Sequence, residues 1–277
     1  MPNDTSSKLQ KGELRFTILG TRGSMTTASP EMMRYGGNTT SYLFETEEEA
    51  IIIDAGTGIM NLPDVGEKRL SLIITHTHID HILGLPMLLG SLRNRNITVY
   101  GEIRGGYTIR QQLERYLSIP LWPVSIDDYD VTVDFVNIAE GVSFSIGGVR
   151  IDTMPSNHPG GSTIFKLLYG GKVVTVATDF EHSPEASEGL ISFARGSDMM
   201  LYDAQYTPDE YEQCRGFGHS TYEQAVIIQQ KADIKEMLLV HHAPGHTDAF
   251  LDDLQCRLEA EGCKNISFAR EGFKTVI

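Results

Sequence analysis

At 277 residues, 40% of them hydrophobic, the chain is long enough to bury a full core and fits one large domain better than two small ones. Lys and Arg number 23 against 37 Asp and Glu, a formal net charge of −14 whose field repels polyanions, so a long nucleic acid is a disfavoured partner. The cysteines Cys214, Cys256 and Cys263 lack C-x-x-C spacing, which speaks against a disulfide framework and a thiolate zinc site; the polar start and the lack of a bilayer-length apolar run predict a cytoplasmic protein with no membrane partner, a homodimer being left open.

Residues 1–12 read as a frayed tail ahead of a single domain over 13–277. Arg15 to Gly20 reads as a strand running into the turn Gly20-Thr21-Arg22-Gly23-Ser24, and a second glycine-containing loop, Tyr35 to Thr40, precedes the strand Ser41 to Glu45. Neither loop leads into a helical pattern of the phosphate-cradling kind, so a dinucleotide or P-loop site is not supported. Ile51-Ile52-Ile53-Asp54 reads as a buried strand ending in a tight turn, and the apolar run Leu70 to Ile74 as the strand that follows.

That run leads straight into Thr75-His76-Thr77-His78-Ile79-Asp80-His81, three imidazoles and a carboxylate within six positions. His76 and His78 have period-2 spacing, so on an extended strand exit they point to one side and can grip one ion. Asp80 and His81 come where the chain turns into an apolar helical pattern and can grip a second ion beside the first. Imidazoles with a carboxylate suit first-row divalent cations and water activation.

Helical periodicity covers about 81–93 and about 108–118, with Pro120 and Pro123 closing the second helix, and residues 119–130, around Trp122, read as a mobile rim. Strands are predicted over 131–136, 142–146, 149–154, 163–168 and 172–176, with Gly147-Gly148 and Gly170-Gly171 as hairpin turns. Ser183-Pro184 starts a helix, 198–202 is a strand, Ser220-Thr221-Tyr222-Glu223 is a capping box opening a helix to about Lys231, 236–240 is a strand, and a helix runs from about Thr247 to Ala260. Two β-rich stretches, each followed by helices, predict a four-layer α/β/β/α sandwich with the ligand-bearing loops along one edge.

A two-metal site needs further ligands, and His158, Asp179 and His241 each stand where a predicted strand runs out. With T-H-x-H-x-D-H ahead of them in this order, the chain resembles the metallo-β-lactamase superfamily over nearly its whole length. The resemblance implies His76, His78 and His158 on one metal, Asp80, His81 and His241 on the other, and Asp179 bridging both. Asp rather than Cys at position 179 points away from the lactamase type proper. His219, in Gly218-His219-Ser220-Thr221, and Leu201-Tyr202-Asp203-Ala204 resemble features of the RNase Z and cyclic-phosphodiesterase branch, which implies that His219 acts on the scissile phosphate and Asp203 orients it. The same resemblance implies metal-assisted hydrolysis by two divalent cations, Zn²⁺ or Mn²⁺ with iron also admissible, in which Asp80 could in addition take the water's proton.

The basic, Gly/Pro-rich insertion that clamps tRNA in RNase Z has no counterpart, so the expected substrate is a small cyclic or linear phosphodiester. An RNA-processing endonuclease, a thioester or lactone hydrolase on the same metals, and a non-catalytic nucleotide or metal sensor are the alternatives. His182, His242 and His246 are left unassigned, with His242 the substitute should His241 not serve.

Overall fold

The computed structural model describes residues 9–277. Strands β1 (Arg15–Gly20), β2 (Ser41–Glu45), β3 (Glu49–Ile53), β4 (Arg69–Ile73), β5 (Arg95–Glu102) and β6 (Val131–Ile138) build one sheet. Strands β7 (Phe144–Ile146), β8 (Val149–Ser156), β9 (Ser162–Tyr169), β10 (Lys172–Ala177), β11 (Met199–Asp203), β12 (Glu236–Val240) and β13 (Ile266–Phe268) build the other. The last strand, β14 (Lys274–Val276), returns to pair with β1, so the orders are β14-β1-β2-β3-β4-β5-β6 and β13-β12-β11-β10-β9-β8-β7.

Period-2 alternation sorts each strand's side chains between two cores. Phe16, Ile18, Ile51 and Ile53 meet Ile151, Phe165, Val174 and Val176 between the sheets. Ile52 and Leu72 turn the other way, toward α1 (Ile79–Ile82), α2 (Leu85–Ser91) and α3 (Ile109–Tyr116). Met200, Tyr202 and Leu239 pack outward against α4 (Pro184–Ala194), with α5 (Pro208–Cys214) lying in the connection to α6 (Tyr222–Ala232), and against α6 and α7 (Asp248–Ala260). Both faces of each central strand are covered, which is why Ile51-Ile52-Ile53 and Met237 to Val240 are unbroken apolar runs. The result is the expected four-layer α/β/β/α sandwich.

Strands β3 to β6 run parallel, as do β10 to β13. Their carboxyl ends therefore gather at one edge, where open α/β sheets place ligands. Asp54, His76, Asp179, Asp203 and His241 all stand at or within three residues of such an end.

Several expectations are revised. Residues 1–8 of the expected tail lie outside the described residues, while residues 10–13 form a turn, Gln10 N–H donating to the Glu13 carboxylate. The single helix expected over 81–93 is two, α1 and α2, because Gly84 packs against the Gly56 carbonyl and Pro86 restarts the helix in its first turn. The cap of α6 is Thr221 rather than Ser220, whose hydroxyl is taken by Tyr202 and His182. Within the 119–130 rim, the indole N–H of Trp122 donates to the Tyr129 hydroxyl, and both rings pack against the core beneath. Strands β5, β13 and β14 and helix α5 were not expected.

Arg22, fully buried, ties the site-side loops together. Its Nε donates to the Gly36 carbonyl at 2.7 Å, and Nη1 to the carbonyls of Ala243 at 3.0 Å and His246 at 2.7 Å. Burial pulls its pKa down, and Asp248 and Glu271 pull it back. Arg22→Met should leave three buried carbonyls bare and lower the unfolding free energy by roughly 3–5 kcal/mol, read as a lower midpoint in urea at unchanged slope.

Candidate metal centre

The chain leaving β4 bends at Thr75 and is extended at His78, and the rings of His76 and His78 meet edge to face at 4.4 Å between centroids. His158, two residues beyond β8, closes the cluster, its Nε2 3.1 Å from His78 Nδ1. The candidate ligand atoms of His76, His78 and His158 lie within 4.8 Å of one another. Each of two rings is aimed by its other nitrogen: His158 Nδ1 donates to the Gly218 carbonyl at 3.0 Å, and His76 Nδ1 stands 3.1 Å from the Thr75 hydroxyl.

Beside it, Asp80, His81, Asp179 and His241 form a second, fully buried group. His81 Nε2 is 3.4 Å from Asp80 and 3.1 Å from Asp179; His241 Nε2 is 3.2 Å and 3.4 Å from the same two carboxylates. Asp179 also stands 3.7 Å from His76 Nε2 and 3.9 Å from His158 Nε2, so it faces both groups. The structure thus brings all seven sequence-predicted ligands together, and His242 lies outside both groups.

Burial disfavours charge on all of these groups, yet the carboxylates keep theirs. Against burial, His241, His81 and His76 hold the Asp179 carboxyl well below the usual range, and His81 and His241 do the same for Asp80. In return, and again against burial, Asp179 and Asp80 push His81 well up and bring His241 to about 9. Burial lowers His76, and also His78 and His158. His76 Nε2 and His81 Nε2 are buried without a hydrogen bond, although each points at the Asp179 carboxylate. Unpartnered imidazole nitrogens around charged carboxylates fit a bound divalent cation.

His219 stacks on His241 at 4.7 Å and 24°, and its Nδ1 donates to Asp203 at 2.8 Å. Asp203, fully buried, takes two further bonds from the backbone N–H groups of Gln205 and Ser220. Its carboxylate therefore fixes both the tautomer and the position of the His219 ring. The loop before His219 is held by Glu181, which accepts from the N–H groups of Gly216 and Gly218. Gly218 has φ +94°, and a Cβ there would fall 2.0 Å from His158 Nδ1. Gly23 has a similar part: a Cβ would fall 2.3 Å from His241 Nδ1.

The unassigned histidines stand apart. His242 Nε2 donates to the Ala269 carbonyl, and burial lowers its pKa to about 3, so it is a neutral core group. His246 pairs with Glu210, and His182 with the Ser220 hydroxyl. Sequence reasoning missed Asp54, whose carboxylate accepts from His81 Nδ1 at 2.7 Å and from Thr75 N–H and Oγ1 at 2.8 Å. A charged residue capping three isoleucines was its signal. It also missed Ser24, whose N–H donates to Asp80 at 2.7 Å, and Glu181, for which no local signal exists.

The family described as Beta-lactamase superfamily domain matches residues 49–242. A curated relative, Ribonuclease Z of Limosilactobacillus reuteri, is 29% identical, covering 84% of this chain and 89% of its own. Among solved structures, the metallo-beta-lactamase fold protein YhfI from Bacillus subtilis superposes with a TM-score of 0.74 at 17% identity, covering 96% of this chain and 100% of its own. Human tRNase Z, short form, gives 0.68 at 18% identity, with 94% and 98% covered. The chain belongs to the β-lactamase superfamily and is a metal-dependent hydrolase of the metallo-β-lactamase fold, similar to RNase Z.

Proposed function

We propose that the chain is a two-metal phosphodiesterase acting on a small cyclic or linear phosphodiester. The observation that carries this reading is a pair of adjacent donor clusters with Asp179 of the second facing the first, and the His219–Asp203 pair stacked against one of their histidines. His76, His78 and His158 would hold one cation, Asp80, His81 and His241 a second, and Asp179 both. An N/O set without thiolate suits zinc, manganese and iron alike. When bound, the cations supply hydroxide at neutral pH and neutralise charge on the phosphoryl oxygens.

The remaining chemistry belongs to the side chains. His219, its Nδ1–H committed to Asp203, presents Nε2 to protonate the departing oxygen. Asp80, besides holding the second cation, would accept the water's proton. A small substrate is favoured by the net charge of −14 and by the tight Gly170-Gly171 hairpin between His158 and Asp179, which leaves no projecting arm there. The likeness to Ribonuclease Z favours a second reading, cleavage of RNA. Metal-loaded protein assayed in parallel on bis-p-nitrophenyl phosphate, a precursor tRNA transcript and a lactone panel separates these: the first should be turned over best, and turnover confined to lactones would remove the phosphodiesterase reading.

Three outcomes are expected of the site itself. His219→Ala should retain its metals while kcat on bis-p-nitrophenyl phosphate falls roughly 10²–10⁴-fold. His76→Ala should lose one metal equivalent by elemental analysis; two retained equivalents would contradict the ligand set. Adding Zn²⁺ to metal-free protein at pH 7 should release protons, since His81 and His241 are raised and must become neutral to ligate, which a weakly buffered indicator reads directly. The sign extends to stability: a raised His241 stabilises the metal-free fold fully below its ordinary 6.5, and that contribution is lost as pH rises through about 9.

A further inference from the structure

Next to His76 and His78 opens a cleft of about 470 Å³, within the usual range for small-molecule sites. Ile79, Tyr107, Tyr116 and Leu121 supply apolar surface, and Arg104 and Arg115 supply charge. Ile79 is 51%, Tyr107 42% and Leu121 66% exposed, an apolar concentration that a soluble surface seldom carries without a ligand. Arg115 lies 4.4 Å over the Tyr107 ring and has no carboxylate partner among the described residues. Arg104 is bound to the Thr163 hydroxyl and paired with Glu102, which sets its guanidinium at the inner wall.

The geometry points to this cleft as the seat of a nucleobase, carried on the ester arm that stays with the phosphate. The inference deepens the phosphodiesterase reading and rests on it for the position of the phosphate. A guanidinium whose carbon lies 4.4 Å over a tyrosine ring leaves its other side for a planar ring. Arginine donates five N–H groups and accepts none, so the ring it suits has acceptor edges, as a nucleobase does. The volume takes one such group and not a strand of them. The cleft walls include His76 and His78 but not His219, Asp203 or His241. The arm leaving toward His219 is thus the other one: water adds its oxygen to phosphorus and passes a proton to Asp80, the P–O bond to that arm breaks with its electron pair on the arm's oxygen, and His219 gives that oxygen a proton. This leaves a nucleoside monophosphate with its base in the cleft. In a molecule of net charge −14, the Arg115 guanidinium, without a carboxylate partner among the described residues, also gives the anion a local attraction.

The test is binding of adenosine monophosphate and of methyl phosphate to the metal-loaded protein, by calorimetry. Adenosine monophosphate should bind at least roughly 10-fold tighter, in line with one base–aromatic stack. Tyr107→Ala and Arg115→Ala should each bring the ratio toward one while metal content stays at two equivalents. Arg115→Lys, which keeps the charge and loses the flat face, should recover little of it. A ratio near one in the parent protein, or one that survives both alanine variants, overturns the inference. If the ratio holds while no phosphodiester is hydrolysed, the reaction fails and the seat stands; if phosphodiesters are hydrolysed with a ratio of one, only the seat falls.

Discussion

Four aspartates, Asp54, Asp80, Asp179 and Asp203, lie buried at one edge of the two sheets, and the molecule must neutralise them. Unpaired carboxylates in such surroundings would be costly enough to take up protons. Here they are met by His81, His241 and His219 and by backbone N–H groups from Ser24, Thr75, Gln205 and Ser220. The arrangement divides in two. Asp54 and Asp203 are satisfied by protein donors and serve to aim rings, whereas Asp80 and Asp179 face imidazole nitrogens across contacts of about 3–4 Å that suit a cation between them.

The backbone at this edge is strained where three of the buried site residues leave their strands. Asp54, Asp179 and His241 each have φ near +60°, a region that non-glycine residues adopt seldom and that β-rich exits do not require. Each follows a parallel strand that would otherwise carry the next side chain out along the sheet. A single left-handed residue turns the chain sharply, aiming Asp54 at Thr75 and His81 beyond the neighbouring strand and Asp179 and His241 across to residues of the other sheet. The surrounding core holds these conformations, with Ile53, Val176 and Val240 immediately or nearly adjacent and packed between the sheets. Rigid strands and strained exits together fix side chains that come from positions far apart in sequence.

This explains what could be read in advance. His76, His78, Asp80 and His81 are local, and their spacing states their purpose. His158, Asp179 and His241 are far apart but share a strand-end position, so the fold class once recognised brings them to one edge. Asp54 and Glu181 were not found because their partners, His81 Nδ1 and the Gly218 N–H, are set by tertiary contact. The same holds for β14, a three-residue strand too short to show a pattern, which exists because β1 has an edge to cover. The capping box at 220–223 was displaced by one residue because the hydroxyl and N–H of Ser220 serve Tyr202, His182 and Asp203 instead of the helix.

The Gly218 carbonyl has a consequence of another kind. It accepts from His158 on one side, while the next residue along the chain is His219, and Glu181 grips the peptide N–H of the same glycine. The His158 ring and the backbone that presents His219 thus hang from one residue, and a shift of Gly218 would disturb both at once.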